Sequence, residues 1–159
     1  MADIKIARVD FRLIHGQVIT KWIKYYPVDM IVIVDDILAG DEFMAEIYKM
    51  AVPKGVGFQV VSVNDAKKVL DTIDKKVFLL CKDVKTCVQA VESGTDFDFL
   101  VVGGIPGEEG RTFITDGVSL RKDEFEQLEK LHEKVPEIIF KSIPEENAVT
   151  MEKAKERFK

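Results

Sequence analysis

The sequence contains few of the residues that build metal sites and disulfide frameworks. Among its 159 residues are two cysteines, Cys81 and Cys87, and two histidines, His15 and His132. The cysteines do not form a Cys-x-x-Cys pair, and neither histidine lies near them in the sequence. Zinc sites and disulfide scaffolds require denser sets of these residues. We therefore expect two buried thiols, no metal ion and no cofactor.

Basic charge and long apolar runs are also scarce. Asp and Glu outnumber Lys and Arg by 28 to 23, and a net charge of −5 argues against a surface that binds nucleic acid. Apolar runs such as 30–34 are too short to cross a bilayer, and the N-terminal residues lack the apolar core of a signal peptide. We expect a cytoplasmic protein. If it serves membrane transport, another chain forms the pore.

Short apolar runs alternate with amphipathic stretches along most of the chain. The runs typical of buried parallel strands are 4–9, 30–34, 58–63, 77–81 and 97–102. The segments between them carry apolar residues at helical spacing. Repeated β-α-β units of this kind predict an α/β fold, with an open, mostly parallel twisted sheet and helices on both faces.

The pattern changes after residue 102. Short pieces at 113–115 and 117–120 indicate an antiparallel edge near the C-terminal part of the chain. A helix is expected at 122–132 and a last strand at 137–143. We find no repeat, linker or low-complexity segment, so we expect one domain that covers residues 1–159.

Two local predictions concern the helices that follow the second and third strands. Apolar residues at helical spacing predict the apolar face of a helix, formed by Phe43, Met44, Ile47 and Met50. Asn64 or Asp65 is expected to cap the next helix, because both side chains accept hydrogen bonds from unpaired backbone N–H groups.

Ligands of open α/β sheets bind beyond the carboxyl ends of the strands. The loops in that position are 10–17, 35–41, 81–83 and 103–111. The first of them carries the residues with the most chemistry.

His15 lies just before a helix that is expected to begin near Gly16. Unpaired N–H groups at a helix start bind anions, and the helix dipole disfavours a protonated imidazole. A neutral imidazole is a competent nucleophile at physiological pH. Arg12 can clamp phosphoryl oxygens, and Asp10 can orient either Arg12 or the second ring nitrogen of His15. These groups suit phosphoryl transfer, although a polar helix cap and a surface ion pair would account for the same residues.

The other candidate residues have simpler explanations. Asp35 and Asp36 resemble the acidic pair of a receiver domain but follow the second strand instead of the first, so capping or loop solvation is the favoured role. The loop from Gly103 to Gly110 lacks a dinucleotide fingerprint and is either a flexible loop or a wall of the His15 site. His132 lies near the end of a charged helix, where we expect a structural role.

The segment 12–18 resembles the active-site signature of a known family. It reads Arg12-Leu13-Ile14-His15-Gly16-Gln17-Val18, which is similar to the IIB components of the mannose/fructose/sorbose class of bacterial sugar phosphotransferase systems. The resemblance extends along nearly the whole chain. It includes Val34-Asp35-Asp36, Pro53-Lys54-Gly55, Val102-Gly103-Gly104 and Ile143-Pro144.

This resemblance assigns roles to individual residues. It implies that His15 is phosphorylated, at its Nδ1 atom, and that Arg12 lies near the phosphate. Gly16 and Gln17 match the loop that cradles the phosphate. We add Asp10 to the phosphate-binding set, and Asp35, Gly103 and Gly104 as walls of the site.

The same resemblance implies the partners. A IIA domain on a separate chain would donate the phosphoryl group, and the membrane components IIC and IID would present the sugar that receives it. The sequence does not identify the sugar, and a homodimer is left open. Phe11 occupies a position where family members commonly carry an acidic or polar residue, and this ring could alter partner docking.

Two alternatives stay open at this point. A binding or regulatory module could share the fold without ever carrying phosphate. A small-molecule enzyme could use the Gly103 loop, with Asp35 or Asp36 as acid or base.

The carrier hypothesis also makes a geometric prediction, since partners must reach the histidine in line. We expect an exposed His15 at a shallow site on a flat rim.

Overall fold

The computed structural model describes residues 1–16 and 18–159. Gln17, which we predicted to bind phosphate, lies outside the described residues. The strands are β1 (Asp3–Val9), β2 (Met30–Val34), β3 (Gly57–Val61), β4 (Lys76–Cys81), β5 (Phe99–Val102), β6 (Thr112–Thr115), β7 (Val118–Leu120), β8 (Glu137–Phe140) and β9 (Val149–Thr150). The helices are α1 (Val18–Tyr25), α2 (Asp36–Ala39), α3 (Glu42–Lys49), α4 (Val63–Thr72), α5 (Val84–Glu92), α6 (Lys122–Leu131) and α7 (Met151–Glu156).

Seven of the strands form one sheet in the order β3-β2-β4-β1-β5-β8-β9. All neighbours in it are parallel except β9, which pairs antiparallel with β8 at one edge. The predicted fold class, an open and mostly parallel sheet, is therefore confirmed. It has an antiparallel edge strand near the C-terminal part of the chain, although that strand is β9 and not the pieces at 113–120. No helix among the described residues is long and apolar enough to span a membrane.

Alternate residues of each central strand enter separate cores on the two faces of the sheet. In β2, Val32 and Val34 pack on one face with side chains from α4 and α5, while Ile31 and Ile33 pack on the other with Trp22 of α1. Successive side chains of a strand point to opposite faces, so a sheet covered on both sides needs a continuous apolar run. This explains why a central strand such as β2 is apolar at every position.

The apolar face of α3 is exposed, which corrects the expectation that it would pack. Phe43 is 75% exposed and Met50 is 85% exposed, and α3 contributes no buried side chain. The helix contacts the core mainly through Tyr48. It leads to the edge strand β3, whose residues are themselves mostly half-buried, so little apolar surface is available to cover it.

Three further predictions need correction. The pieces near 113–120 form a separate two-stranded antiparallel sheet, β6 and β7, not an edge of the main sheet. The side chain of Ser62, rather than Asn64 or Asp65, caps α4 by accepting a hydrogen bond from the N–H of Asp65 at 3.2 Å. The last parallel strand ends at Phe140, because the chain then leaves the sheet toward the carboxyl end of β1.

The two phenylalanines Phe78 and Phe43 test this packing directly. Phe78 is fully buried in β4 and Phe43 is mostly exposed on α3. Phe78→Ala should lower the free energy of unfolding by about 3–5 kcal/mol, because it removes buried surface and leaves a cavity. Phe43→Ala should change it by less than about 0.5 kcal/mol. Urea unfolding at low protein concentration measures both, and equal losses would contradict the described orientation of α3.

Candidate functional site

The carboxyl ends of β1 and β5 form a crevice at the centre of the sheet. The chain leaves β1 toward β2 on one side and leaves β5 toward β8 on the other, and such a divergence creates a binding crevice in open α/β sheets. The N–H of Asp10 donates to the carbonyl of Cys81 at 3.0 Å, and the N–H of Phe11 donates to the carbonyl of Gly104 at 2.8 Å. The loop after β1 is thereby fixed to the ends of both neighbouring strands.

The carboxylate of Asp10 is fully buried and has several partners. Its Oδ1 accepts a hydrogen bond from the backbone N–H of Arg12 at 3.0 Å and lies 3.6 Å from Arg12 Nε. Its Oδ2 accepts from Arg8 Nη2 at 3.2 Å and lies 3.8 Å from His15 Nδ1. The structure thus brings Asp10, Arg12 and His15 together, with Asp10 at the centre.

His15 is less exposed than we expected. Its side chain is 20% exposed, and neither ring nitrogen is accessible to solvent. Neither nitrogen has a hydrogen-bond partner among residues 1–16 and 18–159. The ring is turned inward, with Nδ1 3.8 Å from the buried carboxylate of Asp10.

The environment of His15 favours the neutral imidazole. Partial burial lowers the pKa of His15 below its ordinary value of 6.5, and the charges of Arg12 and Arg8 act in the same direction. The charge of Asp10 and the backbone of Leu13 oppose them without reversing the effect. We had expected a neutral ring from the helix dipole. The main cause is burial instead, and α1 is described from Val18 onward and not from Gly16.

The backbone between Asp10 and Gly16 is held in an unusual conformation. Leu13 has a φ of 55°, in the left-handed region, which costs a residue with a Cβ about 1–3 kcal/mol. The side chains of Leu13 and Ile14 are buried in the same core cluster as Trp22, and burial of each contributes about 1.5–3 kcal/mol. Burial of these two side chains offsets the strain. Phe11 instead is 45% exposed, with the Arg12 guanidinium 5.3 Å from its ring centre.

The two glycines after β5 pack directly against this cluster. A Cβ on Gly103 would lie 2.5 Å from the carbonyl oxygen of Lys141 and 2.7 Å from Arg8 Nη2. A Cβ on Gly104, which has a φ of 66°, would collide with the carboxylate of Asp10. Glycine is therefore required at both positions. They lie behind the Arg8–Asp10 pair, on the side away from solvent.

The acidic residues after β2 have other partners. Asp35 accepts a hydrogen bond from the N–H of Leu38 at 2.9 Å and lies 3.6 Å from Lys82 Nζ. Asp36 accepts from the N–H of Val63 at 2.8 Å. The predicted capping role is confirmed for Asp35, which caps α2, while Asp36 holds the first N–H group of α4. Strand β4 separates them from β1, and within the described residues they make no hydrogen bond or ion pair with the His15 cluster.

Sequence reasoning missed Arg8 as a member of the site. This side chain is 2% exposed and donates to Asp10, to Ser142 and to Lys141. The available signal was the spacing of Arg8 and Asp10, because residues two apart at a strand end share a face.

Cysteines and metal ligands add nothing further to the site. Cys81 and Cys87 are free and buried, as predicted. Within residues 1–16 and 18–159, no group of three or more His, Cys, Asp and Glu side chains is arranged to hold a metal ion. His132 Nδ1 lies 2.9 Å from the carbonyl oxygen of Val135 at the end of α6, which agrees with a structural role.

Comparison with known proteins identifies the family. The family model described as PTS system sorbose subfamily IIB component matches residues 4–158. The chain belongs to this family. It is 31% identical over 147 residues to the fructose-specific EIIB component of the Bacillus subtilis phosphotransferase system, with 91% of this chain and 90% of that protein covered. It is 35% identical over 133 residues to the sorbose-specific EIIB component of Lacticaseibacillus casei, with 82% of this chain and 81% of that protein covered.

A solved structure agrees with this assignment. The crystal structure of manxB from Thermoanaerobacter tengcongensis has a TM-score of 0.93 and 39% identity, and the match covers 99% of this chain and 98% of that one. As a IIB component, the protein is a phosphotransferase of sugar transport that receives phosphate from IIA and transfers it to sugar through IIC and IID.

The charges around His15 lead to a prediction about its titration. The positive charge of Arg12 lowers the pKa of His15, so Arg12→Gln should move the titration of the ring to higher pH. Arg121 is a suitable control, because its side chain is 44% exposed against 47% for Arg12 and it pairs with Glu108, Asp123 and Glu124 instead.

The measurement is NMR of the imidazole C–H protons as a function of pH, with the His132 ring as the reference signal. The wild-type midpoint of His15 should lie below 6.5. Arg121→Gln should leave it unchanged. A His15 midpoint that does not respond to Arg12→Gln would contradict the described geometry.

Proposed function

We propose that His15 is the residue that carries the phosphoryl group and that residues 1–159 act as one carrier domain. The observation that carries this proposal is the cluster after β1, in which the buried Asp10 carboxylate lies 3.8 Å from His15 Nδ1 and 3.6 Å from Arg12 Nε. Burial lowers the pKa of His15, which favours the neutral ring. A neutral ring has a free lone pair for attack on phosphorus, and the adjacent guanidinium supplies positive charge. Position and charge neutralisation are the main contributions that a protein makes to phosphoryl transfer.

The proposed relay consists of two phosphoryl-transfer steps. A ring nitrogen of His15, which we assign as Nδ1, attacks the phosphorus of the phosphorylated IIA donor, and the bond from phosphorus to the donor breaks. The proton on the other ring nitrogen of His15 passes to the departing donor group. In the second step a sugar hydroxyl attacks the same phosphorus, and the bond to His15 breaks. The hydroxyl proton passes to the departing imidazole, which returns to its neutral form.

The inward orientation of His15 adds a requirement to this scheme. Nδ1 faces the carboxylate of Asp10 at 3.8 Å, and a phosphoryl dianion cannot form there without strong repulsion. We therefore expect the ring to turn outward before it accepts the group. Partial exposure of the ring and the open space around Gly16, where an added Cβ would meet no atom within 4 Å, leave room for this movement.

Arg12 and the loop after His15 are the proposed phosphate-binding groups. The side chain of Arg12 is 47% exposed, so its guanidinium can reach the oxygens of a phosphoryl group on the turned ring. The backbone at Gly16 and Gln17 would supply N–H donors. Asp10 acts behind them by orienting Arg12 and His15. Gly103 and Gly104 are proposed walls of the site through their close approach to Arg8 and Asp10. Asp35, which pairs with Lys82 at the end of the neighbouring strand β4, is proposed as a more distant wall.

The partners would meet the protein at the same edge of the sheet. A IIA domain and the membrane components IIC and IID must each bring a reacting group to His15, so their contacts are transient. Phe11 lies beside Arg12 with nearly half of its surface exposed, which suits it to contact one of them. We place the protein in the cytoplasm, and at the inner face of the membrane during transfer to the sugar.

The phosphorylation of His15 can be tested by intact mass. The protein would be incubated with phosphoenolpyruvate, the general phosphotransferase enzymes and a cognate IIA domain. Wild type and His132→Ala should each gain one acid-labile, alkali-stable phosphate, and His15→Ala should gain none. If wild type stays unmodified while the same donor phosphorylates another IIB component, the protein is a regulatory module and not a carrier.

A homodimer is a further proposal about assembly. A two-fold dimer brings the same patch of both subunits together, and an apolar helix face is complementary to itself. The exposed face of α3, which carries Phe43, Met44, Ile47 and Met50, is the described surface that best suits this contact. Light scattering on wild type should give the mass of two chains, and Phe43→Glu should give one. A wild-type monomer would contradict the dimer and leave this face to another partner.

A further inference from the structure

A buried guanidinium connects the His15 loop to the segment after β8. Arg8 Nη2 donates to Asp10 Oδ2 at 3.2 Å and to the carbonyl of Ser142 at 2.8 Å, and Nη1 donates to the carbonyl of Lys141 at 3.3 Å. Ser142 lies 134 positions further along the chain than Arg8. One side chain therefore joins the carboxylate beside His15 to a part of the protein that is distant in sequence.

The orientation of this guanidinium is fixed from several sides. Its Cζ lies 4.9 Å from the ring centre of Trp22 in α1, and Trp22 Nε1 donates to the same Ser142 carbonyl at 3.1 Å. Gly103 lies so close that a Cβ there would be 2.7 Å from Arg8 Nη2. The planar guanidinium of Arg8 cannot rotate without losing these hydrogen bonds. The ammonium group of a lysine cannot make the same set of hydrogen bonds.

Arg8 does not itself reach the reacting atoms. Its contact within the site is with Oδ2 of Asp10, the oxygen that lies 3.8 Å from His15 Nδ1. The other oxygen of the same carboxylate accepts from the N–H of Arg12. Any rotation of the Asp10 carboxylate would therefore change the surroundings of Arg12 and of His15 at once.

We propose that Arg8 is a positioning residue for phosphoryl transfer, which acts by holding the Asp10 carboxylate in the orientation that places His15 and Arg12. This inference rests on the proposed function of His15. Loss of the Arg8 guanidinium would leave the surface that binds the donor intact but would make the position of His15 less fixed. It should therefore lower kcat and leave KM for the donor unchanged. At metal sites, groups that orient a ligand typically contribute a factor of about 10 to 100, and we expect a similar factor for Arg8.

The charged groups around Arg8 set the direction of a second effect. Asp10 and Arg12 lie on the loop after β1, and Glu146 and Lys141 lie on the segment after β8. Arg8 neutralises part of the Asp10 charge that His15 experiences. If the contact between Arg8 and Asp10 is weakened, His15 experiences more of the negative charge of Asp10. The pKa of His15 should then rise.

Arg8→Lys is the main test, because it keeps the positive charge and removes the planar guanidinium. With phosphorylated IIA as donor, it should lower kcat about 10- to 100-fold at unchanged KM. The His15 titration should also move to higher pH. Arg157→Lys is a matched control, since Arg157 donates to the carbonyl of Ile114 at 3.4 Å and has no described contact with the site. It should behave as wild type.

A purely structural role predicts a different pattern. In that case Arg8→Lys would lower the thermal midpoint, the rate would fall only with the unfolded fraction, and the His15 titration would not move. That pattern, or a wild-type rate, would overturn the proposal. If Arg8→Lys does not fold, the pair Arg8→Met with Asp10→Asn removes both buried charges together, and it should fold and transfer slowly. A wild-type rate in this pair would also overturn the proposal.

The failure of the proposed function gives a separate result. If wild-type protein accepts no phosphate from an active donor, the carrier role of His15 is wrong whatever Arg8 does. The His15 titration in Arg8→Lys then still decides whether Arg8 positions Asp10. An upward movement supports the positioning contact, and an unchanged midpoint overturns it.

Discussion

The buried carboxylate of Asp10 is shared between two guanidinium groups and an imidazole, and the rest of the site is arranged around it. A buried charge is tolerated only when it is paired and hydrogen-bonded. The guanidinium of Arg8 pairs with Oδ2 of Asp10, and the backbone N–H of Arg12 donates to Oδ1. The glycines at 103 and 104 leave space for both charges. His15 then lies next to a charge that is already partly compensated, and burial of the ring lowers its pKa and favours the neutral form.

This arrangement suits a carrier better than a storage site. If His15 carries the phosphoryl group as proposed, the same loop has to release it, so tight permanent binding would stop the relay. Arg12 is half exposed, whereas Asp10 and Arg8 are buried. The exposed guanidinium is accessible to a partner, and the buried charges hold the loop. The fold supplies the rigid part through the central strand β1, which is hydrogen-bonded to neighbours on both sides.

The sequence was sufficient for the fold because the strands are mostly apolar and short, as in Met30–Val34. The confirmed parallel sheet follows from their alternation with helices. It was not sufficient for α3, since periodicity shows that Phe43 and Ile47 share a face but not whether anything covers that face. The His15 loop could be located from its position after β1. The contact of Arg8 with Ser142 could not, because it joins residues 134 positions apart. The inward turn of His15 likewise depends on packing that no local pattern encodes.

The most direct test of the account follows the phosphate itself through both steps. Protein labelled with radioactive phosphate on His15 would be isolated and mixed with membrane vesicles that contain IIC and IID together with their sugar. The account predicts that label leaves the protein and appears on the sugar at the same rate, and that sugar phosphate does not form without the vesicles. Label that stays on the protein, or that appears as inorganic phosphate while the sugar stays unlabelled, would contradict the role of His15 as a carrier.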